Sequence, residues 1–248
     1  MNKYICIFIL ITAVGIGNVY SQPVSNGEHF VHIRGDVVRP SKAETYELGL
    51  LDLAAFLEKN SEKKVNYLTH IQDNFHYTHI SAISDLNDID KVSLGKYVSG
   101  EEASEEFAFF WESMNETLES RHTYVVRYDE ENSYVPDGES WLEGMPYRKW
   151  NYYYFSPGTE EEVDKILAAW KYLYEKNDIE SGYRIYRGVL GIEQPVVLFT
   201  SWAENPLAHH ENLEANMQLL GEEGSALLLG MLENAARDDL NEAAPRVM

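Results

Sequence analysis

The chain has 248 residues, of which 44% are hydrophobic and 12% aromatic; this composition excludes intrinsic disorder and predicts one large or two small globular domains. Its 41 acidic residues against 20 basic ones give a formal net charge of −21, which excludes charge-driven binding to nucleic acid or to an anionic membrane surface. The acidic residues are spread over predicted helices, so we interpret them as solubilising, with a bound cation or a basic partner as the alternative.

Residues 1–21 have the pattern of an export signal. A single basic residue precedes an apolar run of about a dozen residues, and Val19 and Ser21 occupy the −3 and −1 positions of a predicted cleavage site before Gln22. The run is shorter than the roughly 20 residues that span a bilayer, so we expect cleavage rather than anchoring. The only cysteine, Cys6, lies in this segment. The sequence therefore predicts an exported protein, periplasmic or extracellular, with no disulfide and no membrane partner after cleavage.

The rest of the chain contains an internal repeat. Short segments of the first half recur in the same order in the second half, which a single chance match does not explain. The matching pairs are Pro40 with Pro157, Phe56–Asn60 with Leu173–Asn177, and Gly100–Ser104 with Gly221–Ser225. We therefore predict two copies of one structural unit.

The first copy begins with a strand of β-branched and aromatic residues that a proline terminates. A helix follows, and then two strands separated by Asp73 and Asn74, a natural hairpin connection. After an irregular segment come a second helix and a trailing strand. The predicted elements are a strand over 30–38, a helix over 44–59, strands over 65–72 and 75–83, a helix over 101–121 and a strand over 123–128.

The second copy repeats this order after a linker over 129–147 that contains several glycines and prolines. Its first helix has Thr159 as a predicted N-cap, acidic residues at the positive helix end, and apolar residues at helical spacing. The predicted elements are a strand over 150–155, a helix over 160–176, strands over 182–189 and 195–202, an irregular segment, and a helix over 222–238.

Each copy is thus a β-α-β-β-α unit of the ferredoxin-like kind, in the α+β class. Helices cover one face of such a sheet, so the other face needs a cover, and two sheets that face each other provide one. This order of elements, duplicated in one chain, resembles the dimeric α+β barrel superfamily over most of residues 29–248. We predict a signal peptide over 1–21, a first unit over 22–128, the linker, and a second unit over 148–248, which form a pseudo-dimer.

The resemblance implies a range of activities rather than one. The superfamily includes haem-degrading and cofactor-independent monooxygenases, chlorite-dismutase-like haem proteins and many members with no known activity. Their site motifs do not match positions of this sequence, so the resemblance assigns no residue a role. No cofactor is predicted, and haem is the one that the resemblance leaves open.

Histidines on the strands of the first copy are candidate site residues. We expect Val31 and Ile33 to face the helices, so that His32 and Arg34 point into the barrel. His70 and His79 lie on the two following strands, and imidazoles gathered in a barrel bind metal, hold haem iron or transfer protons. The alternative is that they are ordinary hydrogen-bonded strand histidines. The tentative ligand-binding residues of this copy are His32, Arg34, His70 and His79.

In the second copy, the positions that match His32 and Arg34 are Lys149 and Asn151, in a strand crowded with aromatic residues. Such residues suit a small-molecule pocket, and they equally suit a packed sheet. Because the copies differ at these positions, we expect one asymmetric site. The tentative ligand-binding residues of this copy are Lys149, Asn151, Arg184, Tyr186 and Trp202.

A pair of possible metal ligands follows the last strand of the second copy. His210 and Glu214 are four residues apart and would share one face of a helix, as metal ligands often do. Two ligands do not make a metal site, so we predict no metal.

The sequence contains none of the familiar catalytic motifs. The first functional hypothesis is an exported protein that binds a small apolar or aromatic ligand between the two fused units. The second is an oxidoreductase, of the cofactor-independent monooxygenase or haem-handling type, that uses a strand histidine with Arg34 as an anion clamp. The third is a structural or interaction protein whose barrel is filled by its own side chains.

Overall fold

In a computed structural model, the structure describes residues 30–61, 68–72, 74–136, 145–239 and 246–247. The predicted signal peptide therefore lies outside the described residues, as do positions 137–144 of the predicted linker.

The elements follow the predicted order. In the first unit they are β1 (Phe30–Val38), α1 (Ala43–Asn60), β2 (Leu68–Ile71), β3 (His76–Ile83), α2 (Glu101–Asn115) and β4 (Leu118–Tyr134), with short 3-10 helices at Pro40–Lys42, Leu86–Val92 and Leu94–Tyr97. In the second unit they are β5 (Tyr147–Phe155), α3 (Glu160–Lys176), β6 (Tyr183–Leu190), β7 (Val196–Ala203), α4 (Pro206–Asn234) and β8 (Ala235–Asp239). A short strand, β9 (Arg246–Val247), follows.

The strands form one sheet of nine strands in the order β8-β5-β7-β6-β4-β1-β3-β2-β9. Within it, β4-β1-β3-β2 and β8-β5-β7-β6 are the same arrangement, so each unit is ferredoxin-like. Antiparallel pairing of β4 with β6 joins the two units. The predicted α+β fold of two ferredoxin-like units is confirmed.

The helices of each unit cover one face of its sheet. In the first unit α1 and α2 pack on Val38 and Tyr77 through Leu50, Leu53 and Met114. In the second unit α3 contributes the predicted apolar stripe, in which Val163, Ile166, Leu167 and Leu173 are buried against the sheet. Burial of these stripes holds the helices in place, because short helices are only marginally stable alone.

The opposite, concave face of the curled sheet is packed rather than open. Val31 and Ile33 of the first unit belong to the same buried cluster as Trp150, Tyr186 and Leu198 of the second. The faces predicted for β1 were therefore wrong. Val31 and Ile33 point to the concave face, while His32 and Arg34 lie on the helix-covered face. Both faces of this strand are covered, so the alternation of polar and apolar residues did not reveal which face is which.

Two predicted helix ends were wrong. The helix predicted over 101–121 ends at Asn115, because Thr117 donates from its backbone N and its Oγ1 to Met114 O and the chain then joins β1 as β4. β4 is long and continues to Tyr134, into the predicted linker. The helix predicted over 222–238 ends at Asn234, and β8 follows it.

The segment between β7 and residue 222, predicted to be irregular, is helical. It begins after Asn205, whose side chain accepts a hydrogen bond from Ala208 N at 2.9 Å as an N-cap. Gly221 interrupts α4 with φ 60° and ψ −143°, a conformation that non-glycine residues rarely adopt. The repeated glycine thus marks a bend inside a helix rather than the start of one.

Candidate functional site

A cavity of about 530 Å³ lies between the sheet of the second unit and the helices α3 and α4. The sheet contributes alternate residues of β5, which point to the helix-covered face, and α4 contributes residues from both sides of its bend at Gly221. Its apolar wall includes Tyr153, Ile166, Leu167, Trp170, Tyr174, Tyr183, Phe199, Met217, Leu227 and Met231. The cavity is partly open to solvent, and a space of this size with a largely aromatic and aliphatic wall is suited to a small organic molecule.

Besides Trp170 Nε1 on α3, two buried polar atoms on the strands of this wall have no hydrogen-bond partner. Tyr183 is 2% exposed, and its hydroxyl is unpaired. Asn151 Oδ1 is likewise buried and unpaired. Burial raises the pKa of Tyr183, so its hydroxyl stays protonated and is a donor as well as an acceptor. Since a buried polar group without a partner is destabilising, these two atoms are places where a ligand would add hydrogen bonds.

Polar side chains border one end of the cavity. Ser201 Oγ and His209 Nε2 are 2.7 Å apart, and the ring of Tyr147 lies 5.3 Å from that of His209. Partial burial, together with the charges of Lys149 and His210, lowers the pKa of His209. At neutral pH this imidazole is therefore uncharged and is able to accept a proton.

The equivalent place in the first unit, between its sheet and its helices, contains a buried polar network. Asp36 is fully buried and accepts hydrogen bonds from Tyr46 OH to Oδ2 at 2.7 Å and from Arg121 Nε to Oδ1 at 2.6 Å. His79 joins the network through its two ring nitrogens, with Nε2 2.8 Å from Tyr46 OH and Nδ1 2.9 Å from Thr69 Oγ1. We call these five residues the Asp36 network.

Electrostatics keep the network in one charge state. Burial alone would raise the pKa of Asp36, but the hydrogen bonds and the nearby guanidinium groups outweigh it and lower the pKa well below its ordinary value. Burial lowers the pKa of His79 to about 4 despite its contact with Asp36. At neutral pH the network therefore contains an ionised Asp36 and a neutral His79.

The predicted site residues do not form one site. His32, Arg34 and His79 lie on the helix-covered face of the first unit. Arg34 contacts Asp36, and His79 is a member of the Asp36 network. Lys149 and Asn151 lie on the matching face of the second unit and line the cavity, together with Trp202 and His210. Arg184 and Tyr186 occupy the other face of β6, where the Arg184 guanidinium is 5.6 Å from the ring centroid of Tyr128.

His70 lies on the concave face, away from both groups. It is 1% exposed, its ring centroid is 6.5 Å from that of Trp150, and neither ring nitrogen has a hydrogen-bond partner. Burial, with the charge of Arg148, lowers its pKa to about 3. The ring is therefore neutral and separated from the other histidines of the first unit.

The two candidate metal ligands of α4, His210 and Glu214, are both exposed. Among the described residues, no group of three or more His, Cys, Asp or Glu side chains is placed to hold a metal ion. Within the same residues, none of the helices is both long and apolar enough to cross a membrane.

Several residues of these two places were missed by sequence reasoning. The cavity residues Met217, Leu227 and Met231 belong to α4. Met217 lies in the part that was interpreted as irregular because Gly221 was taken as a helix start, and Leu227 and Met231 lie in the predicted helix but were not singled out. Asp36 and Tyr46 were not singled out either. An acidic residue in the middle of an otherwise buried strand was the available signal, since such a residue requires a partner.

No family model matches this sequence, and no curated protein matches it. Among solved structures, the chain is similar to an anthrone oxidase-like protein, with a TM-score of 0.60 and 14% identity over 90% of this chain and 92% of that one. It is similar to a chlorite dismutase variant from Candidatus Nitrospira defluvii, with a TM-score of 0.54 and 11% identity over 90% of this chain and 92% of that one.

A third similar structure is named as a candidate monooxygenase from Lactobacillus acidophilus NCFM, with a TM-score of 0.53 and 8% identity over 89% of this chain and 93% of that one. These likenesses extend over both units. The fold is therefore the dimeric α+β barrel fold that these monooxygenase-like and chlorite-dismutase structures have.

Proposed function

We propose that this chain, which has the dimeric α+β barrel fold as a tandem pseudo-dimer, binds one small and largely apolar molecule in the cavity of its second unit. The cavity itself is the observation that supports the proposal. Its volume of about 530 Å³ falls within the range of roughly 300–1,000 Å³ that is usual for small-molecule sites.

The wall indicates what kind of molecule fits. The ring of Phe199 packs against those of Tyr183 and Trp170, with centroid distances of 4.4 Å and 6.4 Å respectively. A flat aromatic ligand gains most from such surroundings. The unpaired Tyr183 OH and Asn151 Oδ1 favour a ligand with hydroxyl or carbonyl groups on an aromatic framework.

The proposed binding place differs from the one that we predicted from the sequence. The sequence predicted a pocket between the two units, whereas the side chains of the concave face there pack against one another. The hypothesis of a filled barrel describes that face well. It does not account for the cavity on the helix-covered side of the second unit, which is why we favour ligand binding.

Haem is compatible with the fold, but a haem site also requires an axial ligand to the iron. Haem iron requires a ring nitrogen or another strong donor directed at it. Two imidazoles border the cavity: His209, whose Nε2 is engaged with Ser201 Oγ, and His210, which is exposed. The buried imidazoles of His70 and His79 lie elsewhere. Among the described residues, no imidazole is both unengaged and buried at the cavity, so the histidines do not fit haem and the proposed function includes no haem step.

An oxidoreductase acting on the same ligand is the second candidate. The observation that favours it is His209, a half-buried imidazole that is neutral at pH 7 and lies at the polar end of the cavity. It is placed to take a proton from a phenol or an activated C–H group of a bound aromatic. The resulting carbanion or phenolate is the species that reacts with O₂ without a cofactor. The similar anthrone oxidase-like structure makes anthrone a rational first substrate.

Ligand binding is tested on protein purified from its native host. Native mass spectrometry should show one small molecule per chain, and denaturing extraction should release it for identification. In parallel, anthrone and anthraquinone are titrated against ligand-free protein while tryptophan fluorescence and the melting temperature are followed. The proposal fails if no molecule co-purifies and no aromatic compound in the panel quenches fluorescence or raises the melting temperature.

The oxidoreductase candidate is tested with an oxygen electrode. Anthrone-dependent O₂ consumption should fall about tenfold or more in His209→Gln, because loss of a positioned base typically costs 10²–10⁴-fold in rate. His122, an exposed histidine on β4 of the first unit, lies outside the cavity, so His122→Gln is the control and should retain the wild-type rate. Binding without O₂ consumption would leave the binding proposal intact and reject the oxidoreductase.

Export is a separate proposal that rests on the sequence pattern of residues 1–21. Intact-mass measurement of the protein from its native host should give a chain that begins at Gln22. A chain that retains Met1 would contradict it.

A further inference from the structure

The Asp36 network has more positive than negative charge around one buried carboxylate. Arg121 forms two hydrogen bonds with Asp36, from Nε to Oδ1 at 2.6 Å and from Nη2 to Oδ2 at 3.2 Å. A second guanidinium approaches the same carboxylate, with Arg34 Nε 3.4 Å from Asp36 Oδ2. Two cations therefore share one anion, while His79, with its lowered pKa, contributes no charge at neutral pH.

Another arginine of the same sheet has the opposite balance. Arg187 contacts two carboxylates, with Nε and Nη2 each 2.7 Å from Asp129 Oδ2 and Nη1 2.7 Å from Asp164 Oδ1. Its charge is more than balanced by these partners. The surplus positive charge around Asp36 is thus a local property of the first unit, within a chain whose net charge is −21.

The two guanidinium groups are held in place and remain accessible. Both lie against the ring of Trp111, with Cζ of Arg34 4.8 Å and Cζ of Arg121 5.2 Å from its centroid. Their side chains are 15% and 29% exposed, respectively, so neither is sealed from solvent. Arg34 Nε is buried and has no hydrogen-bond partner. Arg34 is thus in ion-pair contact with Asp36 without a hydrogen bond from Nε, and because it shares this carboxylate with Arg121, a further anion at the exposed part of the two guanidinium groups is stabilising.

We propose that Arg34 and Arg121, stacked on Trp111, form a binding site for a small oxyanion, with a carboxylate as the preferred ligand. Two guanidinium groups on one platform match the planar, two-oxygen geometry of a carboxylate. The site lies in the first unit and is independent of the cavity in the second. Its success or failure therefore leaves the proposed function untouched.

The experiment follows the Nε–Hε resonances of the arginines by ¹H–¹⁵N NMR of the full protein. Sodium acetate and sodium sulfate are titrated separately while NaCl keeps the ionic strength constant. The signals of Arg34 and Arg121 should shift with a saturable dependence on acetate, and that of Arg187 should not. Saturation by sulfate at a lower concentration than acetate would reject the preference for a carboxylate and identify the ligand as an inorganic oxyanion.

Two variants complete the test. Arg34→Gln removes the guanidinium whose Nε forms no hydrogen bond with the protein and leaves the Asp36–Arg121 pair in place. Acetate affinity should therefore fall about tenfold or more, because hydrogen bonds to charged groups are the strong ones. Arg187→Gln is the matched control and should change affinity less than twofold. Equal acetate affinity in both variants, or no movement of the Arg34 and Arg121 signals with either anion in the wild-type protein, would overturn the proposal.

Discussion

Removing the hydroxyl group of Tyr183 should make the ligand-free protein more stable. The ring of Tyr183 packs on Phe199 and Tyr174, with centroid distances of 4.4 and 4.9 Å, and phenylalanine retains both contacts. What Tyr183→Phe removes is a buried hydroxyl with no partner. Such a group costs about 1–3 kcal/mol, and residual water in the cavity recovers part of that cost. We therefore expect the free energy of unfolding to rise by about 1 kcal/mol.

A neighbouring tyrosine provides the matched control. Tyr134 belongs to the same cluster, its ring centroid is 6.3 Å from that of Tyr183, and its OH donates to Ile179 O at 2.8 Å. Tyr134→Phe removes a satisfied hydrogen bond and should lower the free energy of unfolding by about 1 kcal/mol. The same chemical change is thus expected to have opposite signs at two positions of one cluster.

Urea denaturation of ligand-free protein, followed by circular dichroism, measures both changes. The slopes with urea should be unchanged, so that the shift in midpoint reports stability alone. If Tyr183→Phe lowers stability as much as Tyr134→Phe does, the hydroxyl of Tyr183 has a partner in solution, and the argument that the cavity wall is incomplete without a ligand is refuted.

Three further predictions concern stability. Asp36→Asn leaves two guanidinium groups without their carboxylate and should lower the free energy of unfolding, measured in urea, by about 3 kcal/mol. The control Asp88→Asn removes a surface ion pair and should change it by less than about 0.5 kcal/mol. Similar effects of the two substitutions would contradict the role of the Asp36 network. Because His70 and His79 have folded pKa values of about 3 and 4 against 6.5 when unfolded, the unfolded chain binds more protons below pH 6.5. Stability should therefore fall by roughly 3 kcal/mol between pH 6.5 and 5, and His79→Gln should remove about half of this dependence. Gly221→Ala should be destabilising by more than about 1 kcal/mol because φ is 60° there. Gly230→Ala, whose new Cβ would be 3.5 Å from Ile166, should be neutral or stabilising. Equal melting temperatures of the two variants would show that the bend at Gly221 does not require glycine.

The fold was predictable because its signals are local and repeated. β1 and α3 were predicted with the bounds that the structure shows, since a proline follows each first strand and α3 has an acidic first turn and one apolar stripe. The errors are at helix ends. β4 begins three residues after α2 ends because it must pair with β1, and that pairing depends on residues about 85 positions apart in the chain, as between Asp36 and Arg121. Helical periodicity alone does not contain this information.

The site was predictable only in part. Lys149 and Asn151 were correctly matched to His32 and Arg34, and each pair lies on the helix-covered face of its unit. The face itself was assigned wrongly, because packing against a second unit is a tertiary property. The divergence between the units is larger than the sequence suggested: the strand position that Asp36 occupies in the first unit corresponds to Tyr153 in the second. A charged network thus lies between the sheet and the helices of the first unit, while aromatic side chains surround a cavity at the same place in the second.

The binding of an aromatic ligand in the second unit is tested most directly by filling the cavity. Leu227 lines it, and Leu229, on the same helix, is 56% exposed and does not. Isothermal titration with the molecule released from native protein, or with anthrone, should show that Leu227→Trp weakens binding at least tenfold while Leu229→Trp binds as the wild type does. Undiminished binding by Leu227→Trp, in a variant that melts like the wild type, would contradict the account.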